Sequence, residues 1–261
     1  MTVEPQRYFA EKIAGGRFAV HTVVPVGQSP ETYDPAPHEM VRIARSRAYL
    51  RIGCIGFEQV WMQTIRENNP HLAFFDLSEG ILRTGNEAMH ANDTAQACVH
   101  HAHDRQDPHI WNTTAGARII ARNTLQAFVS LDPANETVYQ ANYRQLLREI
   151  DETEHVLHEL LDTLTCRTFV IYHPALTYFA DEFHLTQLAI ESEGREPSAA
   201  SMKTLVDRAK AAQVRIVFVQ QEFDRKHAEQ VAKEIGARIV TINPLDVHWH
   251  EQMILIARSL L

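Results

Sequence analysis

The stretch ANETVYQANYRQLLREIDETEHVLHELLDTL, residues 134–164, decides the fold of this chain. It contains neither Gly nor Pro, and its apolar residues from Val138 to Leu161 recur at helical spacing. At a rise of about 1.5 Å per residue, such a helix is roughly 45 Å long, which is more than one compact domain needs. We therefore expect this helix to connect two lobes.

Short apolar runs that alternate with helical patterns lie on both sides of this helix. The predicted strands are 17–26, 49–55, 72–77, 168–172, 186–190, 215–220 and 238–242. Strands separated by helices indicate parallel sheets with helices on their faces. We predict an α/β fold with an N-terminal lobe over 1–131, a connecting helix over 132–165, a C-terminal lobe over 166–261 and a cleft between the lobes.

The composition of the chain limits the classes of ligand that it is expected to bind. The formal net charge is −8 and the pI is about 6.0, so the chain is not expected to bind nucleic acid or an anionic membrane surface. No apolar run is long enough to cross a bilayer. The chain has 15 histidines and only 3 cysteines. Many imidazoles favour a site for zinc, copper, nickel or iron rather than for magnesium or calcium.

Three histidines each adjoin a proline, which fixes φ and stiffens the backbone there. They are His38 after Pro37, His109 after Pro108, and His173 before Pro174. His173 also follows a predicted strand, and in open α/β sheets ligands bind beyond the carboxyl ends of strands. We predict that the three imidazoles meet at a metal site in the cleft. The clustered His100, His101 and His103 have no such constraint and suit transient metal capture.

Several motifs occur in an order that resembles one protein family. They are Glu31–His38, His100–His103, Asp107–Trp111, Tyr172–Ala175, Gly194–Ser198 and Phe218–Phe223. With these motifs, the chain resembles the zinc and manganese solute-binding proteins of bacterial ABC importers over essentially its whole length. The resemblance implies two lobes, a rigid connecting helix and one buried divalent cation.

The resemblance also implies a set of ligands. His109 and His173 correspond to metal ligands, and His38 corresponds to the first histidine of the family. A histidine at position 173 favours Zn²⁺ over Mn²⁺, since manganese-selective relatives tend to have a carboxylate there. Asn243 stands where the family often has Asp, and an amide oxygen is a weak zinc ligand. Water, Glu222 or Asp246 are the alternatives for the fourth position.

The function that the resemblance implies is the capture of a divalent metal and its delivery to the membrane permease of an ABC importer. We expect a monomer that is not an enzyme. We also expect a periplasmic or cell-surface lipoprotein, anchored through an N-terminal segment that precedes this sequence. The alternatives are a zinc hydrolase and a metal-binding adhesin of the same fold. A hydrolase would share the three histidines, but the sequence has no His-Glu-x-x-His and no Gly-x-Ser-x-Gly motif.

Overall fold

The computed structural model describes residues 1–81, 107–191 and 197–261. Its helices are α1 (Glu4–Ala14), α2 (Pro37–Ala44), α3 (Gly56–Asn68), α4 (Thr114–Leu131), α5 (Glu136–Leu161), α6 (Thr177–Glu182), α7 (Ala199–Ala211), α8 (Lys226–Ile235) and α9 (Trp249–Ser259). Its strands are β1 (Ala48–Arg51), β2 (Ala73–Asp76), β3 (Thr168–Ile171), β4 (Thr186–Ala189), β5 (Ile216–Gln220) and β6 (Arg238–Ile242). Helices and strands alternate along most of the chain, as the sequence pattern predicts.

The strands form two parallel sheets among the described residues. In the first sheet, β1 pairs with β2 in parallel, and α3 is the crossover between them. The second sheet has the order β4-β3-β5-β6, and all its neighbouring strands are parallel. Parallel strands require helical crossovers, so helices must cover the faces of such sheets. The carboxyl ends of β3, β5 and β6 consequently lie at one edge.

Side chains of the second sheet alternate between two apolar cores, as the two-residue repeat of a strand requires. Phe169, Ile171 and Phe218 belong to the large core that also contains residues of the first half of the chain. Val170 and Val217, on the opposite face, belong to a smaller core with residues of α7 and α8. The large core is therefore continuous between the two halves of the molecule.

The long helix α5 has 26 residues, which corresponds to about 39 Å. Its buried residues include Tyr139, Leu146, Ile150, Leu157 and Leu161, which lie on one face. This helix packs against α1 and α4 of the first half and against α9 of the second half. The α/β class and the connecting helix are thus confirmed. The exact division into lobes at residues 131 and 165 stays a prediction.

One predicted element is wrong. Residues 17–26 alternate in polarity as a strand does, but no strand is formed there. The backbone N–H groups of Val23 and Val24 donate to Met1 and Thr2 instead of to β1 or β2. Phe18 stacks on a helix side chain, Phe128, with ring centroids 4.7 Å apart. The alternation therefore reflects packing of a loop against helices rather than pairing in a sheet.

None of the helices within the described ranges combines the length and the apolar character that a bilayer crossing requires. Cys166 is a free thiol. The histidine cluster 100–103 and most of the Gly194–Ser198 motif lie outside the described residues, and so does Cys98.

Candidate metal centre

A small cavity lies where the strands β3, β5 and β6 end. Its volume is about 10 Å³, which is room for about one water molecule or one ion. It is lined by Ser29, Pro30, Glu31, His109, His173, Ala175, Glu222, Phe223, Pro244 and Leu245. The lining thus comes from both halves of the chain, at the edge where parallel sheets commonly bind ligands.

His109 is the most deeply buried imidazole of this cavity, with 6% of its surface exposed. Its Nδ1 lies 2.7 Å from Oδ1 of Asp107, and the same oxygen accepts the backbone N–H of His109 at 2.8 Å. The ring also contacts the edge of Trp111, with centroids 5.3 Å apart. Asp107 therefore fixes the orientation of the ring and leaves Nε2 as the nitrogen for a metal.

The segment that carries His109 is tied to the second half of the chain. The backbone carbonyl of Asp107 accepts a hydrogen bond from the hydroxyl of Tyr178, and Nε1 of Trp111 donates to the carbonyl of Pro244 at 2.8 Å. In turn, Nε1 of Trp249 donates to the carbonyl of Trp111 at 2.6 Å. These bonds hold an N-terminal imidazole against the C-terminal sheet edge.

His173 follows β3 and is held in a similar way. Its Nδ1 lies 3.2 Å from Oε2 of Glu191, a carboxylate that is 7% exposed. The buried amide of Gln220 donates to the carbonyl of His173 at 2.6 Å and accepts its backbone N–H at 3.3 Å. The ring stacks on Phe223. As with His109, the carboxylate occupies Nδ1, so Nε2 is the nitrogen left for a ligand.

The two imidazoles are close neighbours. The ring centroids of His109 and His173 are 5.1 Å apart, with an angle of 70° between the ring planes. Imidazole pairs that are each supported by a carboxylate are the usual arrangement around zinc and related ions. The pair therefore fits half of a tetrahedral coordination shell.

Two carboxylates complete the polar lining. Oε1 of Glu31 and Oε2 of Glu222 are buried, and neither has a hydrogen-bond partner among the described residues. A buried carboxylate oxygen without a partner is costly unless a cation compensates it. Burial raises the pKa of Glu222, although His173 and His109 oppose that shift. The donor set of two imidazoles and two carboxylates therefore fits a divalent cation.

The charges around His109 affect its protonation. Burial by itself lowers the pKa of His109, but the carboxylates of Asp107, Glu31 and Glu222 outweigh it and leave the pKa above its ordinary value. Burial alone would raise the pKa of Asp107, and the neighbouring His109 instead brings it below its ordinary value. The cavity thus attracts positive charge, whether it comes from a proton or from a metal.

The donors surround the cavity without forming a finished site. Within residues 1–81, 107–191 and 197–261, no group of three or more His, Cys, Asp or Glu side chains is arranged closely enough to hold an ion as it stands. Zinc needs donors at about 2.0–2.2 Å. An ion held by all of these donors would require small movements of their side chains toward a common point.

The structure does not bring His38 to this cavity, so that expectation needs correction. Pro37 begins α2, and the buried residues of that helix are Glu39 and Ile43. The carboxylate of Glu39 accepts the backbone N–H of Ala36, which fixes the start of the helix. His38 is consequently exposed. The residue of this loop that lines the cavity is Glu31.

Asn243 is also placed elsewhere. Its Oδ1 accepts the backbone N–H of Leu245 at 3.2 Å, and its Nδ2 donates to Asp246 at 3.2 Å. It lines a different small cavity. Asp246, one of the three alternatives for the fourth position, also accepts the backbone N–H of His248. Both side chains therefore serve the turn after β6.

Sequence reasoning missed three residues around this cavity. Glu31 lies in the Glu31–His38 motif, but His38 was the residue of that motif predicted as a ligand, because it is a histidine that adjoins a proline. Glu191 and Gln220 orient His173, and each lies at or just beyond the end of a strand next to β3. Polar residues at strand ends that share one sheet edge were the available signal for these two.

Comparisons with known proteins identify the family of this chain. Residues 1–253 match the family described as zinc-uptake complex component A, periplasmic (ZnuA). The high-affinity zinc uptake system protein ZnuA of Bacillus subtilis (strain 168) is 26% identical over 251 residues, covering 94% of this chain and 77% of that protein. The manganese ABC transporter substrate-binding lipoprotein PsaA of Streptococcus anginosus is 22% identical, covering 88% of this chain and 74% of that protein.

The fold agrees as well. A crystal structure of ZnuA superimposes with a TM-score of 0.89 at 33% identity, covering 99% of this chain and 95% of the other. Fold and site together define a metal-binding substrate-binding protein of the ABC transporter type, and not an enzyme. Within that class, the chain belongs to the periplasmic zinc-uptake component A family.

Proposed function

We propose that this protein captures Zn²⁺ outside the cytoplasm and delivers it to the permease of an ABC importer. The observation that carries the proposal is the pair His109 and His173, which lie at one cavity with a carboxylate on each Nδ1. Neutral imidazole nitrogen is a preferred donor for zinc. Glu222, whose Oε2 is buried at the same cavity, is the carboxylate donor from the C-terminal half.

Zinc is favoured over manganese for two reasons. The donor pair closest together consists of imidazoles, and manganese prefers oxygen. At a site with a given set of donors, zinc also binds more tightly than manganese in the usual order of divalent metals. Among relatives, the Bacillus subtilis protein is named for zinc and the Streptococcus anginosus protein for manganese.

The proposal includes a location and a way of working. The family description is periplasmic, and the streptococcal relative is named as a lipoprotein. We therefore propose a periplasmic or surface-anchored protein that acts as a monomer. Its chemistry is ligand exchange, in which Nε2 atoms and carboxylates replace the water around the ion and later release it to the permease.

Uptake of radioactive zinc by cells tests the proposal. Cells that lack this gene should take up less zinc at low external concentration, and wild-type protein should restore uptake. The variant His109→Ala should not restore it although it reaches the same abundance, whereas His38→Ala should. If His109→Ala restores uptake fully, or if the deletion has no effect on uptake, the proposed function is wrong.

A further inference from the structure

We propose that Glu31 is the fourth metal donor of this site and that Gly56 is the residue that holds it in position. This inference rests on the proposed function, because it concerns the same cavity. It departs from the expectation that His38 supplies a third imidazole. The resulting shell has two imidazoles and two carboxylates.

The carboxylate of Glu31 has two distinct oxygens. Oε1 is buried and has no hydrogen-bond partner in the described part of the chain, and the residue lines the cavity with both histidines. Oε2 accepts the backbone N–H of Gly56 at 3.2 Å. One oxygen is therefore anchored to the protein while the other is left for a cation. This division matches the arrangement of the histidines, in which Nδ1 is anchored and Nε2 is left.

Gly56 makes this arrangement sterically possible. A Cβ atom at position 56 would lie 2.3 Å from the carbonyl oxygen of Glu31 and 2.8 Å from its Cα, which are backbone atoms that cannot turn aside. The next residue, Phe57, donates its backbone N–H to the carbonyl of Pro30 at 2.9 Å. The start of α3 and the loop at Pro30 and Glu31 are therefore in direct backbone contact.

The helix that begins at Gly56 also supplies charge. It has 13 residues, and its first N–H groups carry the positive end of the helix dipole. This positive end attracts a carboxylate placed there. The start of this helix therefore attracts the Glu31 carboxylate, in addition to the hydrogen bond from Gly56.

The second carboxylate changes which ions the site accepts. Together with Glu222, Glu31 balances the two positive charges of the ion. Oxygen donors suit Mn²⁺ better than a third imidazole does. We therefore infer that Glu31 makes the preference of this protein for Zn²⁺ over Mn²⁺ smaller than a histidine at the same position would.

Competition titrations of metal-stripped full-length protein test the role of Glu31. The variants are Glu31→Gln, which keeps the shape but removes the charge, and Glu31→His, with Asp34→Asn as a control in the same loop because Asp34 is exposed. Glu31→Gln should weaken Zn²⁺ and Mn²⁺ binding by at least about tenfold. Glu31→His should keep Zn²⁺ but bind Mn²⁺ more weakly. Asp34→Asn should bind both ions as wild type does.

Binding of both ions by Glu31→Gln at wild-type affinity would overturn the inference. If Glu31→His lowers Zn²⁺ and Mn²⁺ affinity equally, the inference about selectivity is wrong. The proposed function fails separately, when wild-type protein binds neither ion or when His109→Ala binds as tightly as wild type. If His109→Ala loses binding while Glu31→Gln binds fully, only the inference about Glu31 is contradicted, and the proposed function stands.

The role of Gly56 is tested by Gly56→Ala, with Val60→Ala on the exposed face of the same helix as the control, since Val60 is 69% exposed. With Co²⁺ as the probe, the visible absorption spectrum reports the coordination shell. Gly56→Ala should shift the spectrum and weaken binding as Glu31→Gln does, and the double variant should be no weaker than Glu31→Gln. Additive losses, or an unchanged spectrum in folded Gly56→Ala, would contradict positioning through Glu31.

Discussion

Two Pro-His dipeptides of this chain lie in opposite environments. Pro37-His38 begins α2, and the imidazole is exposed. Pro108-His109 precedes a short 3₁₀ turn, and the imidazole is buried beside Trp111 with its Nδ1 on Asp107. Proline constrains the backbone equally in both places. The two segments differ in two respects. A carboxylate lies two residues before His109, and hydrogen bonds connect the segment of His109 to the second half of the chain.

The comparison shows which local feature fixes the orientation of an imidazole. A proline fixes the path of the chain but not the direction of the next side chain. A carboxylate that occupies Nδ1 fixes both the tautomer and the ring. His173 agrees with this rule, since Glu191 contacts its Nδ1. His38 has no carboxylate two residues earlier, where Ala36 stands.

The largest effect is expected from removing an imidazole of the cavity. His109→Ala should lower Zn²⁺ affinity by more than about 100-fold, because loss of a direct donor exceeds the roughly 10–100-fold cost of losing a supporting group. His38→Ala, the matched Pro-His control, should bind as wild type. Isothermal titration with a competing chelator measures both. Equal losses in the two variants would remove the basis of the comparison.

An intermediate effect is expected when the supporting carboxylates are neutralised. Asp107→Asn and Glu191→Gln should each lower Zn²⁺ affinity about 10–100-fold while the donors remain, because the imidazole orientation is no longer fixed. A suitable control is Glu159→Gln, since Glu159 pairs with the exposed His155 at 3.5 Å, far outside the cavity lining. The same competition titrations serve here. Wild-type affinity in Asp107→Asn would show that the carboxylate does not distinguish His109 from His38.

A smaller effect is expected from acidification. Metal binds the neutral imidazole, and the pKa of His109 lies above its ordinary value in the metal-free protein, so protons compete with metal below that raised pKa. Zn²⁺ affinity should therefore begin to fall at a pH above the ordinary 6.5, by about tenfold per pH unit for one displaced proton. Titrations at several pH values measure this. An affinity that stays constant from pH 8 to pH 5 would contradict an imidazole site.

Sequence alone predicted the elements whose signals are local. The helix α5 and the parallel strands were readable because apolar periodicity and the absence of Gly and Pro act within a few residues. The false strand at 17–26 shows the limit of that signal, because residues of a loop that packs on helices also alternate. Phe18 is such a residue.

The site was only partly readable for a related reason. His109 and His173, which the structure places at the cavity, could be predicted as candidates because each adjoins a proline. Glu31 was overlooked, since its proposed role depends on a contact with Gly56, which is 25 residues away in sequence. The close backbone contact between these two residues is a tertiary property. Spacing along the chain gives no indication of it.

The most direct test of the central claim is a crystal structure of the Zn²⁺-loaded protein with anomalous data collected at the zinc edge. We expect one strong anomalous peak within about 2.0–2.2 Å of Nε2 of both His109 and His173. The electron density of the same crystal should place a carboxylate oxygen of Glu31 and of Glu222 on the ion. A peak beside His38, or a peak that only one of the two cavity histidines contacts, would contradict this account.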